Sequence, residues 1–136
     1  MKPDRKKKSD LPMLWMTLTI KGAEWPVFLT NDVQLLGEDN DACCNTATST
    51  IYIASWLPAS QIHTALIHEV LHAIIFSMGV GQLIQSIIDV EDHDESEERL
   101  VSLLSVDLFD TLQRNGIIKL PKLPNLSPEA KQKKSK

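Results

Sequence analysis

From about Pro58 to Met78 the apolar residues Ile62, Ala65, Leu66, Leu71, Ile74 and Ile75 recur at helical spacing, and inside that run stands His68-Glu69-Val70-Leu71-His72. Positions four apart on a helix lie one turn apart on the same face. The flanks are apolar too, Ala65-Leu66-Ile67 before and Ala73-Ile74-Ile75 after. Any fold that buries this helix must therefore bring two imidazoles and a carboxylate together among hydrocarbon side chains. As an ordinary amphipathic core helix it would leave three polar groups needing partners, at ~1–3 kcal/mol for each one unpaired. A metal ion shared by His68 and His72 removes that cost. Pro58 suits the first turn, and Gly79 and Gly81 supply the stop.

The spacing is that of His-Glu-x-x-His, in which two histidines hold Zn²⁺ and the glutamate acts as general base. Zinc brings the pKa of a bound water towards neutrality, and the carboxylate of Glu69, beside the first ligand, completes its deprotonation. The chemistry so supported is peptide-bond hydrolysis by a zinc metallopeptidase, with a protein or peptide as substrate. The other reading is a catalytically inactive module of the same kind, in which zinc only staples the fold and the protein binds or regulates.

A catalytic zinc takes three protein ligands and a water. The version of the motif that ends in a third histidine needs Gly at 75 and His at 78; the chain has Ile75 and Met78. A carboxylate on a later helix remains, and Glu95, Glu97 and Glu98 open the next long helical segment. Asp94 and Glu97 have the spacing of a capping box, which gives Glu97 a competing structural role. Glu98 begins a stripe through Val101, Ser105, Leu108 and Leu112, whereas the centre of the apolar face lies nearer Glu97. Periodicity leaves the choice open. His93 stands in a run of acids and reads as a solvated linker residue; His93 or Asp94 joining the ligands would close the site and favour a structural zinc.

Thr50-Ile-Tyr-Ile, Ala65-Leu-Ile-His-Glu-Val-Leu-His-Ala-Ile, Glu97-Glu-Arg-Leu-Val-Ser-Leu-Leu-Ser and Leu112-Gln-Arg-Asn115 together resemble the small His-Glu-x-x-His proteins of bacteriophage and prophage genomes. These are similar to the ImmA/IrrE-like zinc peptidases of the gluzincin type. The resemblance spans about residues 12–116, with its specific motifs in 50–115. In that pattern the glutamate ligand precedes small or apolar residues at +3, +6, +7 and +10, which Glu98 satisfies with Val101, Leu104, Ser105 and Leu108. The family's Asn at +4 is Ser102 here, and its Leu-Leu-Met-Pro is absent. The resemblance implies a zincin-like fold, a small twisted sheet packed on the zinc helix with a glutamate-bearing helix behind. It also implies Glu98 as the third ligand and, for a phage protein, residence in the host cytoplasm.

Ahead of the motif the chain reads as strands. Met13–Ile20 and Trp25–Thr30 flank a Lys21-Gly22 turn, with Pro26 marking a strand start or an edge. Val33–Leu36 reads as a short helical turn, Gly37–Thr48 as a loop, and Thr50–Ala54 as a strand with Ile51 and Ile53 on one face. Gln82–Val90 suggests a short helix, 89–95 an acidic connector, and Glu95–Asn115 a long helix with Gly116 at its cap. Strands first and helices after indicate α+β.

The net charge of −4 is unevenly spread: residues 1–10 carry +3, residues 119–136 carry +5, and 11–118 carry −12. Residues 1–10 are expected to be a disordered basic tail, 11–118 the folded domain, and 119–136 a flexible basic tail. A body this acidic repels a phosphate backbone, so nucleic-acid binding would rest on the tails and collapse with salt. No apolar run approaches the ~18 residues that span a bilayer, and Leu11–Ile20 is too short and polar for a signal peptide. Cys43 and Cys44 are adjacent, which suits neither an ordinary disulfide nor a cysteine zinc site, and they read as plain thiols of a reducing, cytoplasmic compartment. The acidic run 89–98 lacks the spacing of an EF-hand loop. His63 points about 140° away from His68 around the helix, towards the surface or behind a ligand. Tyr52 has the position to line a cleft beside the metal, but a Tyr in so short a strand reads first as a packed residue.

Overall fold

A computed structural model describes residues 11–80, 83 and 93–126, without the side chains of His93, Asp94 and Ser96. The expected tail at 1–10, most of the helix expected over 82–90, residues 89–92 of the connector and the chain beyond 126 lie outside the described residues. The elements in chain order are β1 (Met13–Ile20), β2 (Ala23–Thr30), α1 (Val33–Leu36), β3 (Ala42–Asn45), β4 (Thr50–Ala54), α2 (Ala59–Met78) and α3 (His93–Arg114). The architecture is α+β: a four-stranded mixed sheet in the order β1-β2-β4-β3, with α2 and α3 packed together beside it. Among the described residues no helix is long and apolar enough to cross a membrane.

Local chemistry explains the sheet. Lys21 and Gly22 both have positive φ, 50° and 81°, the left-handed pair that joins two antiparallel strands with the correct twist. β1 and β2 pair antiparallel, and the register shifts between Leu14 and Met16. The extra residue, Trp15, lets both Trp15 and Met16 pack against the core. β2 runs parallel to β4 from Val27↔Ile51 to Thr30↔Ala54. Pro26 precedes this pairing, so its missing N–H costs the sheet nothing on that side. Trp25, Val27 and Leu29 of β2 and Ile51 and Ile53 of β4 bury one face of the sheet against Ile62, Leu66 and Ala73 of α2. Each such side chain contributes ~1.5–3 kcal/mol. On the opposite face Phe28 stacks on Tyr52, ring centroids 5.8 Å apart.

Two expectations need correction. The segment read as a loop over Gly37–Thr48 contains the edge strand β3, antiparallel to β4 from Ala42↔Ile53 to Asn45↔Thr50. Its four residues are short and flanked by polar ones, so propensity conceals it; backbone pairing to β4 makes it a strand. The Asn45 side chain closes the hairpin, its Oδ1 accepting from the N–H groups of Ala47 and Thr48.

The second correction concerns the domain boundary at 118. Leu120, Leu123 and Leu126 are partly buried against the core cluster, and the Trp15 indole N–H donates to the Pro121 carbonyl at 3.3 Å. The spacing of three, interleaved with Pro121 and Pro124, is that of a polyproline-type repeat in which every third side chain shares a face. The folded unit therefore extends to Leu126. α3 ends in two bonds that wrap its last turn: Gly116 N–H to Gln113 O at 3.1 Å and Ile117 N–H to Leu112 O at 2.9 Å.

Candidate metal centre

Pro58 caps α2, its carbonyl accepting from the N–H groups of Gln61 and Ile62. From that start, Ile62, Leu66, Glu69 and Ala73 fall on one buried stripe, which places Glu69 on the core-facing side of the helix. His68 and His72 lie on the flank of that stripe and face α3. Their Nε2 atoms are 3.3 Å apart. Glu98 of α3 bridges them, Oε1 at 3.0 Å from His68 Nε2 and Oε2 at 2.9 Å from His72 Nε2. Ser102, one turn further along α3, donates to Glu98 Oε1 at 3.2 Å.

The other glutamate of the pair behaves differently. Glu97 Oε1 lies 2.7 Å from His72 Nδ1, and its side chain is largely buried, like that of His72. A carboxylate accepts, so the Nδ1 of His72 carries the proton. In the neutral ring this leaves a lone pair on Nε2, which points at the Glu98 carboxylate and at the second imidazole. Lone pairs and a carboxylate converging on one point repel unless a cation stands between them. Burial works against a charge on His72, yet the Glu97 hydrogen bond and the surrounding carboxylates outweigh it and hold its pKa above the usual value. His68 is shifted the other way, downward by burial and by its neighbour His72, against the pull of Glu98.

The donors also fit a metal by spacing. Ligand atoms ~2.0–2.1 Å from a tetrahedral zinc stand ~3.3 Å from one another, close to the 2.9–3.3 Å found among His68, His72 and Glu98. These three form a group that could hold a metal ion, their ligand atoms all within 4.8 Å of one another. Glu69 is 7% exposed, and burial, offset in part by His72, raises its carboxyl to about 7. It is thus poised to exchange a proton near neutral pH.

Of the other sequence candidates, Glu95 is exposed and outside the group. The side chains of His93 and Asp94 lie outside the described residues, as does the cap expected from Asp94. Glu97, weighed as a ligand or a capping residue, contacts Nδ1 of His72, the ring nitrogen turned away from Glu98 and His68. Its hydrogen bond with His72 and that of Ser102 with Glu98 are contacts of the cluster that the sequence does not show. Consecutive glutamates at a helix start are the available signal, because neighbours 100° apart can reach one imidazole from two sides. His63 stacks on Trp15 at 5.9 Å and leans on Phe109 at 5.9 Å, so it ties β1, α2 and α3 together away from the metal group. Tyr52 packs on Phe28 on the far side of the sheet.

The site opens into a cleft of about 1340 Å³ between β3, α2 and α3. Cys43 and Cys44 border it. Burial raises the Cys43 thiol, and burial together with the charges of Glu69, Cys43 and Glu97 pushes Cys44 up to about 12. Thiols held neutral are weak ligands and weak nucleophiles. No protein-family model, curated protein or solved structure matches the chain. What the site can do therefore follows from its own atoms.

Proposed function

We propose that the protein is a zinc-dependent metallopeptidase with a zincin-like arrangement: the sheet packed on the motif helix α2, and the glutamate-bearing helix α3 behind it. The observation that carries this reading is the convergence of His68 Nε2, His72 Nε2 and the Glu98 carboxylate beside the buried carboxyl of Glu69. Two imidazoles and one carboxylate are a donor set suited to zinc. The ion would supply Lewis acidity, polarising the scissile carbonyl and acidifying a water.

The protein's own residues do the rest. His68, His72 and Glu98 hold the ion, and Glu97 fixes the ring of His72 in the tautomer that frees Nε2. Glu69 takes a proton from the attacking water and returns it to the leaving amine. β3 borders the cleft and is an edge strand. An extended peptide pairing along it would present its carbonyl to the ion.

The inactive alternative, a binding module with a structural zinc, calls for a fourth protein ligand. Among the described residues the group has three. The deciding experiment is Glu69→Gln: zinc content and fold are retained while peptide cleavage falls by at least ~100-fold. Cleavage at the parent rate would refute the mechanism.

A further inference from the structure

α3 carries apolar side chains outside the stripe that it buries. Val101, Ser105 and Phe109 form the buried stripe. Leu103 and Val106, 73% and 57% exposed, stand about 130° around the helix from it. Neither side chain serves the packing of its own chain.

The charges around this pair are ordered. Glu95, Arg99, Leu103, Val106, Asp110 and Arg114 are all exposed, and the steps between them are four, four, three, four and four residues. At ~100° and ~1.5 Å per residue they share one strip of α3, about 100° wide and about 28 Å long. The spacing reads the same from either end, while the order of charge inverts: negative then positive before the apolar pair, negative then positive after it. When two such helices pair antiparallel about a two-fold axis, Leu103 comes opposite the partner's Val106, Arg99 opposite the partner's Asp110, and Glu95 opposite the partner's Arg114. Every charge then meets its opposite. A parallel pair would set each charge against its own kind. Within one chain Arg114 Nε already donates to Asp110 Oδ1 at 2.8 Å. The partner's Arg99 would join that ion pair at the exposed face rather than break it.

We propose that the protein self-associates through this strip, as an antiparallel two-fold pair of α3 helices. The occupant is a second copy of the chain because the strip is complementary to itself. The inference stands apart from the peptidase reading and needs no metal. It bears on the site all the same: Val106 also borders the cleft, so the partner's Leu103 would stand at the cleft's rim. Two apolar residues from each chain make a small interface, which sets a weak and reversible pair.

Sedimentation equilibrium of the full-length protein tests this. The parent is expected to be a monomer–dimer mixture with a dissociation constant on the order of 10–100 µM in ~50 mM salt. Leu103→Glu, at a position too exposed to disturb the fold, should leave only monomer up to ~500 µM. Arg99→Glu and Asp110→Arg should each weaken self-association by about tenfold, because each sets like charges opposite one another at both ends of the two-fold pair. Mixed in equal amounts, these two variants should associate with the parent's affinity, since each then faces its complement. A folding defect would not be repaired by mixing. A parent that stays monomeric at ~500 µM overturns the proposal and leaves the strip to a partner other than a second copy. Dimerisation that survives Leu103→Glu, or charge variants that stay apart on mixing, overturns it as well.

Discussion

Glu97 Oε1 sits 2.7 Å from Nδ1 of His72, while Oε2 of the next residue, Glu98, sits 2.9 Å from Nε2 of the same ring. Two consecutive carboxylates thus grip one imidazole from opposite ends. The buried one fixes the tautomer and the ring plane; the other, with 55% of its side chain exposed, is free to bond a metal. Under the proposed function this division makes one glutamate of the pair the ligand and the other its support.

Removing the support should weaken the metal site without removing a ligand. Glu97→Ala is expected to lower zinc affinity by ~10–100-fold, as loss of a carboxylate behind a histidine ligand does. Glu97→Gln, whose amide oxygen still accepts from Nδ1–H, should lose less. Competition with a chromophoric chelator measures both. An affinity equal to the parent's in Glu97→Ala would show that the contact does not orient the ring.

Glu98→Ala should lose stoichiometric zinc, and Glu95→Ala should keep it. Metal analysis after gel filtration distinguishes them. Retention in Glu98→Ala would move the third ligand to another residue.

The metal-free protein should lose stability as pH rises across the range in which Glu69 titrates. Its carboxyl is raised from an ordinary 4.5 to about 7 in the folded state, chiefly by burial. Below pH ~4.5 both folded and unfolded forms hold the proton and there is no penalty. Between ~4.5 and ~7 the unfolded chain releases it while the folded chain keeps it, so folding weakens by about 3 kcal/mol. His72, raised by Glu97 and the nearby carboxylates against burial, changes stability in the same direction as pH rises. Glu69→Gln should remove most of the loss, and zinc should too, since the ion favours the carboxylate. Urea unfolding at pH 5 and pH 7.5, with and without zinc, tests the sign. A metal-free protein more stable at pH 7.5 would contradict it.

Leu123→Ala should destabilise the fold by ~1–2 kcal/mol, because its side chain packs partly buried on the core. Asn125→Ala, at an exposed position of the same segment, should stay within ~0.5 kcal/mol. Chemical denaturation compares them. Equal, negligible effects would return residues 119–126 to a flexible tail.

The sequence made α2 plain because its constraint is local: the step of four from His68 to His72 fixes a shared face whatever surrounds them. Met13–Ile20 and Thr50–Ala54 were readable for a similar reason, since alternating apolar residues such as Ile51 and Ile53 carry a period of their own. The third ligand was not readable from periodicity. Glu97 and Glu98 differ by one step around α3, and only the position of α2 decides which meets Nε2 and which meets Nδ1. β3 was hidden because Ala42–Asn45 owes its conformation to β4 rather than to its own side chains. The leucines at 120, 123 and 126 were masked by neighbouring lysines and prolines, and by a period of three that matches neither helix nor strand.

The most direct test of the whole picture is anomalous diffraction at the zinc edge from crystals grown with zinc. One peak is expected, bonded at ~2.0–2.2 Å to His68 Nε2, His72 Nε2 and a Glu98 oxygen, with Glu69 beside it. A map with no peak between two imidazoles turned apart, or with the ion on other residues, would contradict it.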